Sequence, residues 1–423
     1  MRLRNADSMT VRLRAVHRDL RDRRAFVACL VGTWLLTAAT HHYIIAPASV
    51  LPTVAAGLGV TTTRAVWLVS AVPASWAVTN FALGVWIDRL GDYRMIAAGT
   101  GIVVLAGGWS WWAAREGAFA SLLAARLVAG VAVGVIWTAS TNLVGGAVSD
   151  ANRGTAIGVF ITSAPAGFAL GQLSGPLVAA RFGWHANFPV MILGSLVAFA
   201  LLTAGRRGLA VDPETNTASV RANFAAVLKR PVVWYGCAMA FAAYSCYLFL
   251  NSWLPSYLAR EFALSTQLSG LLTALFPAMG VLSRAGGGVI SDRLLDRRRL
   301  PVLRAAFLVS LPLVVLIAVT RVLAVIVAAL VVAGFVVQLT FGVVYSYVQE
   351  VVEAEITGTA LAFLTTAGIS GAFSAPLVAG ALIEATDAYL FAFAYATALT
   401  GLGLLLSWFA PESGASSKCF GSD

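Results

Sequence analysis

The sequence predicts an all-α membrane protein with 12 transmembrane helices in two pseudo-symmetric six-helix bundles around a central cavity. Of its 423 residues, 59% are hydrophobic and 11% are charged, whereas about 25% of residues are charged in soluble proteins. The apolar residues recur in blocks of the length that crosses hydrocarbon as a helix, which is about 20 residues. A single long polar segment divides these blocks into two sets of six.

The predicted spans are separated by short, mostly polar connections. Their ranges are 26–50, 65–87, 95–114, 118–146, 155–180, 187–204, 232–258, 267–290, 302–320, 322–349, 357–383 and 389–410. The polar segment 205–231 is interpreted as a linker between bundles at 26–204 and 232–410. A basic arm at 1–25 precedes the first bundle, and a short tail at 411–423 follows the second.

The distribution of Lys and Arg predicts the orientation in the membrane. The termini and one set of connections carry 22 of the 29 Lys and Arg residues. The opposite connections and the span interiors hold the remainder, Arg64, Arg115, Arg181, Arg260, Arg321, Arg126 and Arg284. We therefore expect a cell-membrane protein with cytoplasmic termini and linker, whose net charge of +10 reflects topology and not nucleic-acid binding. We expect that the arm carries no cleavable signal and that its charges act as a topology signal. The alternative is that the arm is an amphipathic helix lying on the membrane surface.

The two halves also share sequence at a fixed spacing. Gly84 and Asp88, after span 2, recur as Gly288 and Asp292 after span 8, each 204 residues later. The Gly-Thr-Ala of 154–156, at the start of span 5, recurs at 358–360. Two like-oriented repeats of six spans are the architecture of one class of transporters, in which the substrate site lies between the halves near mid-membrane.

The loop after span 2 has the pattern Gly-x-x-x-Asp-Arg-x-Gly-x-x-Arg. It consists of Gly84, Asp88, Arg89, Gly91 and Arg94, and its second copy contains Gly288, Asp292 and Arg293. The pattern resembles the signature of the major facilitator superfamily, and the resemblance covers nearly the whole chain. We expect these residues to form a conformational latch, in which Asp88 approaches the start of span 11 and Asp292 the start of span 5 in the outward-open state. Asp92 and Leu295 depart from the family pattern.

Arg284 lies within span 8, eight residues before Asp292. This spacing is similar to that of oxalate/formate exchangers, monocarboxylate porters, nitrate/nitrite porters and cyanate-type permeases. In such carriers an arginine at this spacing binds the anion. Nitrate porters have a second arginine where this chain has Asn80, so the resemblance implies a monoanion or carboxylate, which matches the planar guanidinium fork. The alternative is a structural arginine that snorkels to the cytoplasmic side.

Spans 1, 4, 7 and 10 line the cavity in the superfamily, and all four carry polar or aromatic stripes. The predicted substrate-binding residues, besides Arg284 and Asn80, are His41, Arg126, Trp137, Tyr244, Tyr247, Gln338 and Tyr345. For Arg126 we leave open a structural bond to carbonyls or hydroxyls and a role in coupling. No acidic residue lies mid-span, which argues against cationic drugs and metal ions and leaves His41 as the candidate for proton coupling.

These features predict a secondary active transporter of a small, carboxylate-type anion, working as a monomer by alternating access. The coupling ion would be a proton or a counter-anion, and we expect no enzymatic activity, cofactor or metal. A drug or metabolite exporter is the alternative, suggested by the span-5 glycines Gly158, Gly167, Gly171 and Gly175, whose other interpretation is close helix packing. A non-transporting nutrient sensor is a further alternative. A membrane-embedded enzyme is disfavoured because the sequence lacks clustered metal ligands.

The predicted topology can be tested with single cysteines in a cysteine-free background. We expect a cysteine at position 214, in the linker, to react with an impermeant maleimide only after permeabilisation. A cysteine at Glu116, in an external connection, should react in intact cells. Labelling of position 214 in intact cells would contradict the topology.

Overall fold

The computed structural model describes the backbone of residues 2–206, 220–294 and 298–411. Side chains are described within these ranges except at 2–23, 81–86, 88, 150–151, 220–223, 285–294 and 354. All regular structure in the described ranges is helical, which confirms the predicted fold class. The latch side chains of Gly84, Asp88, Gly288, Asp292 and Arg293, and the whole of Glu214, lie outside the described part.

The first half contains spans 1 to 6. Span 1 is the end of helix Arg2–Ser49, and span 2 is formed by Thr62–Ala65 with Trp67–Leu90. Spans 3 and 4 are Asp92–Arg115 and Phe119–Gly146, span 5 is Asp150–Phe160 with Ser163–Phe182, and span 6 is Asn187–Arg206. Helix Leu51–Leu58 follows span 1, and a 3-10 turn, Trp184–Ala186, precedes span 6.

The second half contains spans 7 to 12. They are Pro231–Glu261, Thr266–Leu294, Arg299–Val319, Leu323–Val351, Ala354–Thr386 and Tyr389–Phe409, and helix Val220–Leu228 precedes them. In the described residues, eleven helices are long and apolar enough to cross a membrane, and a pair bent by 101°, Leu51–Leu58 with Thr62–Asn80, accounts for the twelfth. These helices match the predicted spans to within a few residues.

The helical content exceeds the prediction in two places. Helix Arg2–Ser49 runs through the basic arm without interruption, because residues 2–31 contain neither glycine nor proline. Helix Leu51–Leu58 was not predicted; it starts beside Pro52 and ends at Gly59, whose φ of 64° favours glycine. This short helix turns the chain between spans 1 and 2.

The two halves repeat the same helix packing. In the first half, span 1 packs against spans 5 and 6, span 4 against spans 2 and 3, and span 3 against span 6. The same five pairs recur six spans later in the second half. The halves meet where span 2 packs against span 11, span 5 against span 8, and span 1 against span 7. The pseudo-symmetry predicted from the repeated sequence is therefore a repeated three-dimensional packing.

Glycines at equivalent positions permit this packing. A Cβ atom at Gly130 in span 4 would collide with the carbonyl oxygen of Val72 in span 2. A Cβ atom at Gly334 in span 10 would collide with the carbonyl oxygen of Phe276 in span 8. The small residues let the backbones approach closely, which is how helices without polar partners associate in a bilayer.

The Gly334 contact gives a prediction for stability. Gly334→Ala should destabilise the protein by about 1–3 kcal/mol, because the new methyl group overlaps a backbone atom that cannot move away freely. Gly342→Ala is the matched control, since a Cβ at Gly342 in the same span meets nothing within 4 Å. Thermal unfolding of both variants in detergent measures the difference, and equal melting temperatures would contradict the close approach.

Candidate functional site

Arg126 in span 4 is fully buried and bound to backbone carbonyls. Pro47 has no N–H, so the carbonyl of Tyr43 loses its usual donor within span 1. Arg126 donates Nη1–H to this carbonyl at 3.1 Å and Nη2–H to that of Ile44 at 3.0 Å. Its Nε–H donates to the carbonyl of Leu68 in span 2. The guanidinium thus connects spans 1, 2 and 4, which matches the structural interpretation of Arg126.

The predicted binding amides also lie in helix contacts. Asn80 Nδ2 donates to the carbonyl of Ala362 at 3.2 Å and to Thr366 Oγ1 at 3.1 Å, both on span 11. Gln338 Nε2 donates to the carbonyls of Phe276 at 3.1 Å and Gly334 at 3.0 Å. These bonds hold spans 2 and 11, and spans 8 and 10, together. The structure therefore engages the donor groups of both amides within the protein.

Aromatic side chains from both halves meet at the centre. The His41 ring lies 6.1 Å from Trp76, 5.4 Å from Trp137 and 5.8 Å from Phe168. Phe168 contacts Tyr247 of the second half with ring centroids 5.3 Å apart. We name the set the central ring cluster; it comprises His41, Trp76, Trp137, Phe168, Tyr244, Tyr247 and Phe341. Four of the predicted site residues lie in this cluster.

Arg284 borders the central ring cluster. Its guanidinium carbon lies 4.7 Å from the Phe341 ring centroid and 5.8 Å from that of Tyr247. Within the described residues, Nε is buried without a hydrogen-bond partner, and no carboxylate forms an ion pair with the side chain. Cation–π contacts stabilise a guanidinium by about 0.5–2 kcal/mol, depending on its exposure. Arg284 is therefore a partly exposed cation within a span that has no counter-ion among the described residues.

Two more donors around the ring cluster lack partners. Among the described residues, the hydroxyl of Tyr247 and the indole nitrogen of Trp76 are both buried without a hydrogen bond. Buried donors are normally satisfied, so the unpartnered groups of Arg284, Tyr247 and Trp76 at or beside one cluster need an explanation. A ligand that carries acceptors, such as a carboxylate, would provide the missing partners.

The site is closed on one side. The linker face is the side of the bundle where Arg206 and Lys229 lie, and the far face is the opposite one. All residues of 40–49 in span 1 and 245–258 in span 7 are buried toward the far face. Gln172 Nε2 there donates to the carbonyl of Asn251 across the halves at 2.6 Å. Thr63 Oγ1 likewise donates to the carbonyl of Gly380 at 2.9 Å.

Toward the linker face the site residues are more exposed. Trp137, Tyr244, Tyr345 and Arg284 are partly exposed, whereas His41, Phe168 and Tyr247 are buried. The Tyr345 hydroxyl donates to Thr365 Oγ1 at 2.9 Å. Tyr345 lies one helical turn beyond Phe341, so it forms the linker-side border of the site.

The glycines of span 5 pack against span 1. A Cβ atom at Gly167, Gly171 or Gly175 would overlap Ala38, Ile45 or Ser49, respectively. Gly158 has open space around its Cα. The spacing that suggested an exporter is thus explained, in three of the four positions, by a close helix contact.

In the predicted latch loop, only part of the pattern is described. Gly91 has a φ of 82°, a conformation that favours glycine, and it separates spans 2 and 3. Arg89 and Arg94 are exposed at the linker face. Asp92 Oδ1 accepts a hydrogen bond from Asn142 Nδ2 at 3.2 Å. The residue that departs from the family pattern therefore joins spans 3 and 4.

Sequence reasoning missed several residues of the site. Trp76, Phe168 and Phe341 were not predicted: Trp76 and Phe168 lie in spans 2 and 5, outside the four spans expected to line the cavity, and Phe341 carries no polar group. The internal repeat carries a signal for Trp76. Trp76 and Gly134 lie 204 residues before Gly280 and Gln338, respectively. Within each half the glycine makes room for the larger residue, Gly134 for Trp76 and Gly280 for Gln338. Because Gln338 was predicted as a site residue, comparing the two repeats would have drawn attention to Trp76.

Two like-folded six-helix bundles with a cationic, ring-lined site between them define a membrane transport protein. The model of the Major Facilitator Superfamily matches residues 32–376, and the chain belongs to this superfamily. Among the described residues, no group of three His, Cys, Asp or Glu could hold a metal ion. The protein is a non-enzymatic, multi-pass membrane transporter of small solutes.

The chain is similar in sequence to several transport proteins, of which three are described. It is 26% identical to the hexuronate transporter of Bacillus subtilis (strain 168) over 78% of this chain and 81% of the relative. It is 29% identical to the 3-(3-hydroxy-phenyl)propionate transporter of Escherichia coli (strain K12) over 71% of this chain and 73% of the relative. It is 28% identical to the nitrite extrusion protein of B. subtilis (strain 168), over 30% of this chain and 32% of that protein.

The contrast between the two intramembrane arginines is testable. Arg126→Lys should lower the thermal stability of the purified protein, because lysine cannot bond all three carbonyls. Each bond left unmade costs about 1–3 kcal/mol. Arg284→Lys should leave the melting temperature nearly unchanged, because Arg284 donates no hydrogen bond within the described residues. If both variants melt alike, the distinction between a structural and a site arginine is wrong.

Proposed function

We propose that this protein is a secondary transporter that moves a small organic carboxylate across the cell membrane by alternating access, with Arg284 binding the carboxylate. The observation that carries the proposal is the guanidinium of Arg284, which lies beside the central ring cluster and has no counter-ion and no partner for Nε among the described residues. A cation within a span is unfavourable without a counter-ion, and an anionic substrate supplies one. The planar guanidinium can donate two parallel hydrogen bonds to a carboxylate.

Neighbouring donors support an anion over a cation or neutral molecule. The Tyr247 hydroxyl belongs to a ring whose centroid is 5.8 Å from the Arg284 guanidinium carbon. The Tyr247 hydroxyl and the Arg284 guanidinium are two neighbouring hydrogen-bond donors. A carboxylate, which only accepts hydrogen bonds, can bind both. Among the described residues, no carboxylate faces this pair, and a cationic drug would meet only like charge.

The walls of the site favour a carboxylate with a planar, apolar body. Six aromatic rings besides His41 make up the central ring cluster beside Arg284, and aromatic rings favour contact with another planar ring. Both hexuronate and 3-(3-hydroxy-phenyl)propionate, the molecules named in two relatives, join a carboxylate to a ring. The amides of Asn80 and Gln338, which would serve sugar hydroxyls, already donate within the protein. A hydroxyl that is buried without a hydrogen-bond partner is costly, so we favour an aryl carboxylate over a sugar acid.

Alternating access accounts for the one-sided closure. With the linker face cytoplasmic, as the distribution of Lys and Arg indicates, the bonds of Gln172 and Thr63 close the external side and the site faces inward. Rocking of the halves would break these bonds and open the far face. In the outward-open state we expect the latch residues Asp88 and Asp292 to engage the opposite half.

A drug or metabolite exporter is a second candidate with less support. Its main indication was the span-5 glycine pattern, and Gly167, Gly171 and Gly175 pack on span 1. The described residues of the site include the cation Arg284 and no acid, which also disfavours the cationic compounds that many exporters carry.

Arg284→Gln should abolish uptake of 3-(3-hydroxyphenyl)propionate into proteoliposomes, because it removes the positive charge and the two parallel N–H donors of the guanidinium. Arg284→Lys retains the charge and should weaken binding about 10- to 100-fold, as expected for loss of a charge-assisted hydrogen bond worth about 1.5–3 kcal/mol. Arg321→Gln is the matched control, since Arg321 is exposed and pairs with Glu261 at the far face.

Binding is measured separately by thermal shift with 3-(3-hydroxyphenyl)propionate, glucuronate, nitrite and the neutral alcohol 3-phenylpropanol. We expect the aryl carboxylate to stabilise the wild-type protein most and the alcohol least. Wild-type uptake by folded Arg284→Gln protein would refute the anion carrier. Equal stabilisation by the alcohol would refute the role of the charge.

A further inference from the structure

Asn80 and Arg284 occupy equivalent positions in the two repeats. They lie 204 residues apart, as Gly84 and Gly288 do, and each precedes the aspartate of its own repeat by eight residues. Asn80 belongs to span 2, which packs on span 11, and Arg284 belongs to span 8, which packs on span 5. The internal repeat therefore relates these two contacts between the halves.

The Asn80 side chain crosses from one half to the other. Its amide donates to the carbonyl of Ala362 at 3.2 Å and to the Thr366 hydroxyl at 3.1 Å. These acceptors lie one turn apart on span 11, and by the 204-residue spacing they correspond to Gly158 and Thr162 of span 5. The helix that packs against span 8 therefore carries the same pair of acceptors, a carbonyl and a threonine hydroxyl.

Both acceptors on span 5 can take a further donor. Pro165 has no N–H, and the helix of span 5 is interrupted just before it. The N–H of Thr162, which would bond the Gly158 carbonyl in an unbroken helix, donates instead to the carbonyl of Val159 at 3.2 Å. The Thr162 hydroxyl donates to the same carbonyl at 2.6 Å and accepts the indole N–H of Trp34 at 2.9 Å. Among the described residues, this leaves one lone pair of the hydroxyl free.

Arg284 does not reach these acceptors in the present conformation. Within the described residues, span 8 packs on Ser163–Phe182 and only marginally on Asp150–Phe160. A Cβ atom at Gly158 would meet no described atom within 4 Å, so there is open space beside this part of span 5. Closing the halves at the linker face would bring spans 5 and 8 together here, in the way that spans 2 and 11 already meet at Asn80.

Alternating access imposes a requirement on Arg284. Between its two open states the carrier closes both faces, and the partly exposed guanidinium then loses its contact with water. A charge that is left unpaired in this dry state is strongly unfavourable. In the loaded carrier the substrate carboxylate is the partner, whereas the empty carrier needs acceptors of its own. A guanidinium has five N–H donors, so it can bond a carbonyl and a hydroxyl at once.

We propose that the Gly158 carbonyl and the Thr162 hydroxyl form an internal binding position for Arg284, which the guanidinium occupies when the empty carrier closes. The proposal rests on the proposed anion carrier and adds its mode of transport. Because the empty carrier can return without a bound anion, the protein performs net transport of the carboxylate and not obligatory exchange. A bound carboxylate uses the same N–H donors, so the substrate and span 5 compete for Arg284.

The test compares two activities of the full chain in proteoliposomes, with 3-(3-hydroxyphenyl)propionate as the probe. Net uptake into liposomes without internal anion requires the return of the empty carrier. Exchange of external labelled anion for internal unlabelled anion requires only the loaded carrier. Protein-free liposomes subtract diffusion of the protonated acid. For the wild-type protein we expect both activities.

Thr162→Val should separate the two activities. It removes the hydroxyl and should lower net uptake at least about tenfold, the effect of one lost hydrogen bond to a charged group, while exchange stays near that of the wild type. Thr162→Ser keeps the hydroxyl and should retain net uptake. Trp34→Phe is the matched control, because it removes the indole bond to Thr162 but leaves the hydroxyl, and it should retain both activities.

Exchange by Thr162→Val also reports that this variant is folded; if it does not fold, Thr162→Ala removes the same hydroxyl with a smaller side chain. Undiminished net uptake by the folded variant, or an equal loss of net uptake and exchange, would overturn the proposal. Wild-type exchange without net uptake would overturn it while leaving the proposed function intact. If the wild-type protein shows no exchange and no binding at all, the proposed function and this proposal are refuted together.

Discussion

Hydrocarbon offers no hydrogen-bond partner, so a polar group within a span has to be satisfied inside the protein. Arg126 meets this constraint fully, because Pro47 releases the Tyr43 carbonyl and two further carbonyls complete its surroundings. Arg284 does not, since within the described residues its Nε is buried without a partner. The first arginine joins three helices, and the second keeps a charge that no carboxylate of the described residues neutralises. This difference between two residues of one type organises both the bundle and the site.

The repeated packing shows how a symmetric scaffold acquires an asymmetric site. Gly130 and Gly334 make equivalent close approaches in the two halves. One turn further on, the roles diverge: Gly134 accommodates Trp76 in the first half, whereas Gly280 accommodates Gln338 in the second. The first half thereby contributes a ring to the centre, and the second half contributes an amide bound to its own backbone. Equivalent backbones therefore present different chemistry to the same central space.

The far-face closure leaves further polar atoms without partners. Three buried atoms between spans 5 and 7 and their neighbours have no hydrogen-bond partner in the described part of the chain: Gln172 Oε1, Asn251 Oδ1 and Ser252 Oγ. Such atoms are costly in a dry interface. In a conformation that admits water from the far face they would gain partners, which reduces the free-energy difference between the closed and open arrangements. Polar residues at this interface thus suit a protein that must open and close it.

Much of the fold is determined by the sequence itself. Twelve spans follow from hydrophobic length, because each helix satisfies its own backbone in lipid, and the two halves follow from the 204-residue spacing of Gly84 and Gly288. The importance of Arg284 also follows from the sequence, since a charge within a span needs a reason. Only the tertiary structure decided how the other candidates are used. Asn80, Gln338 and Arg126 looked equivalent to His41 and Tyr247 as polar residues in spans, but their donors face neighbouring helices. The physical reason is that a span has several faces, and which face meets the centre depends on helix rotation and packing across residues far apart in the chain.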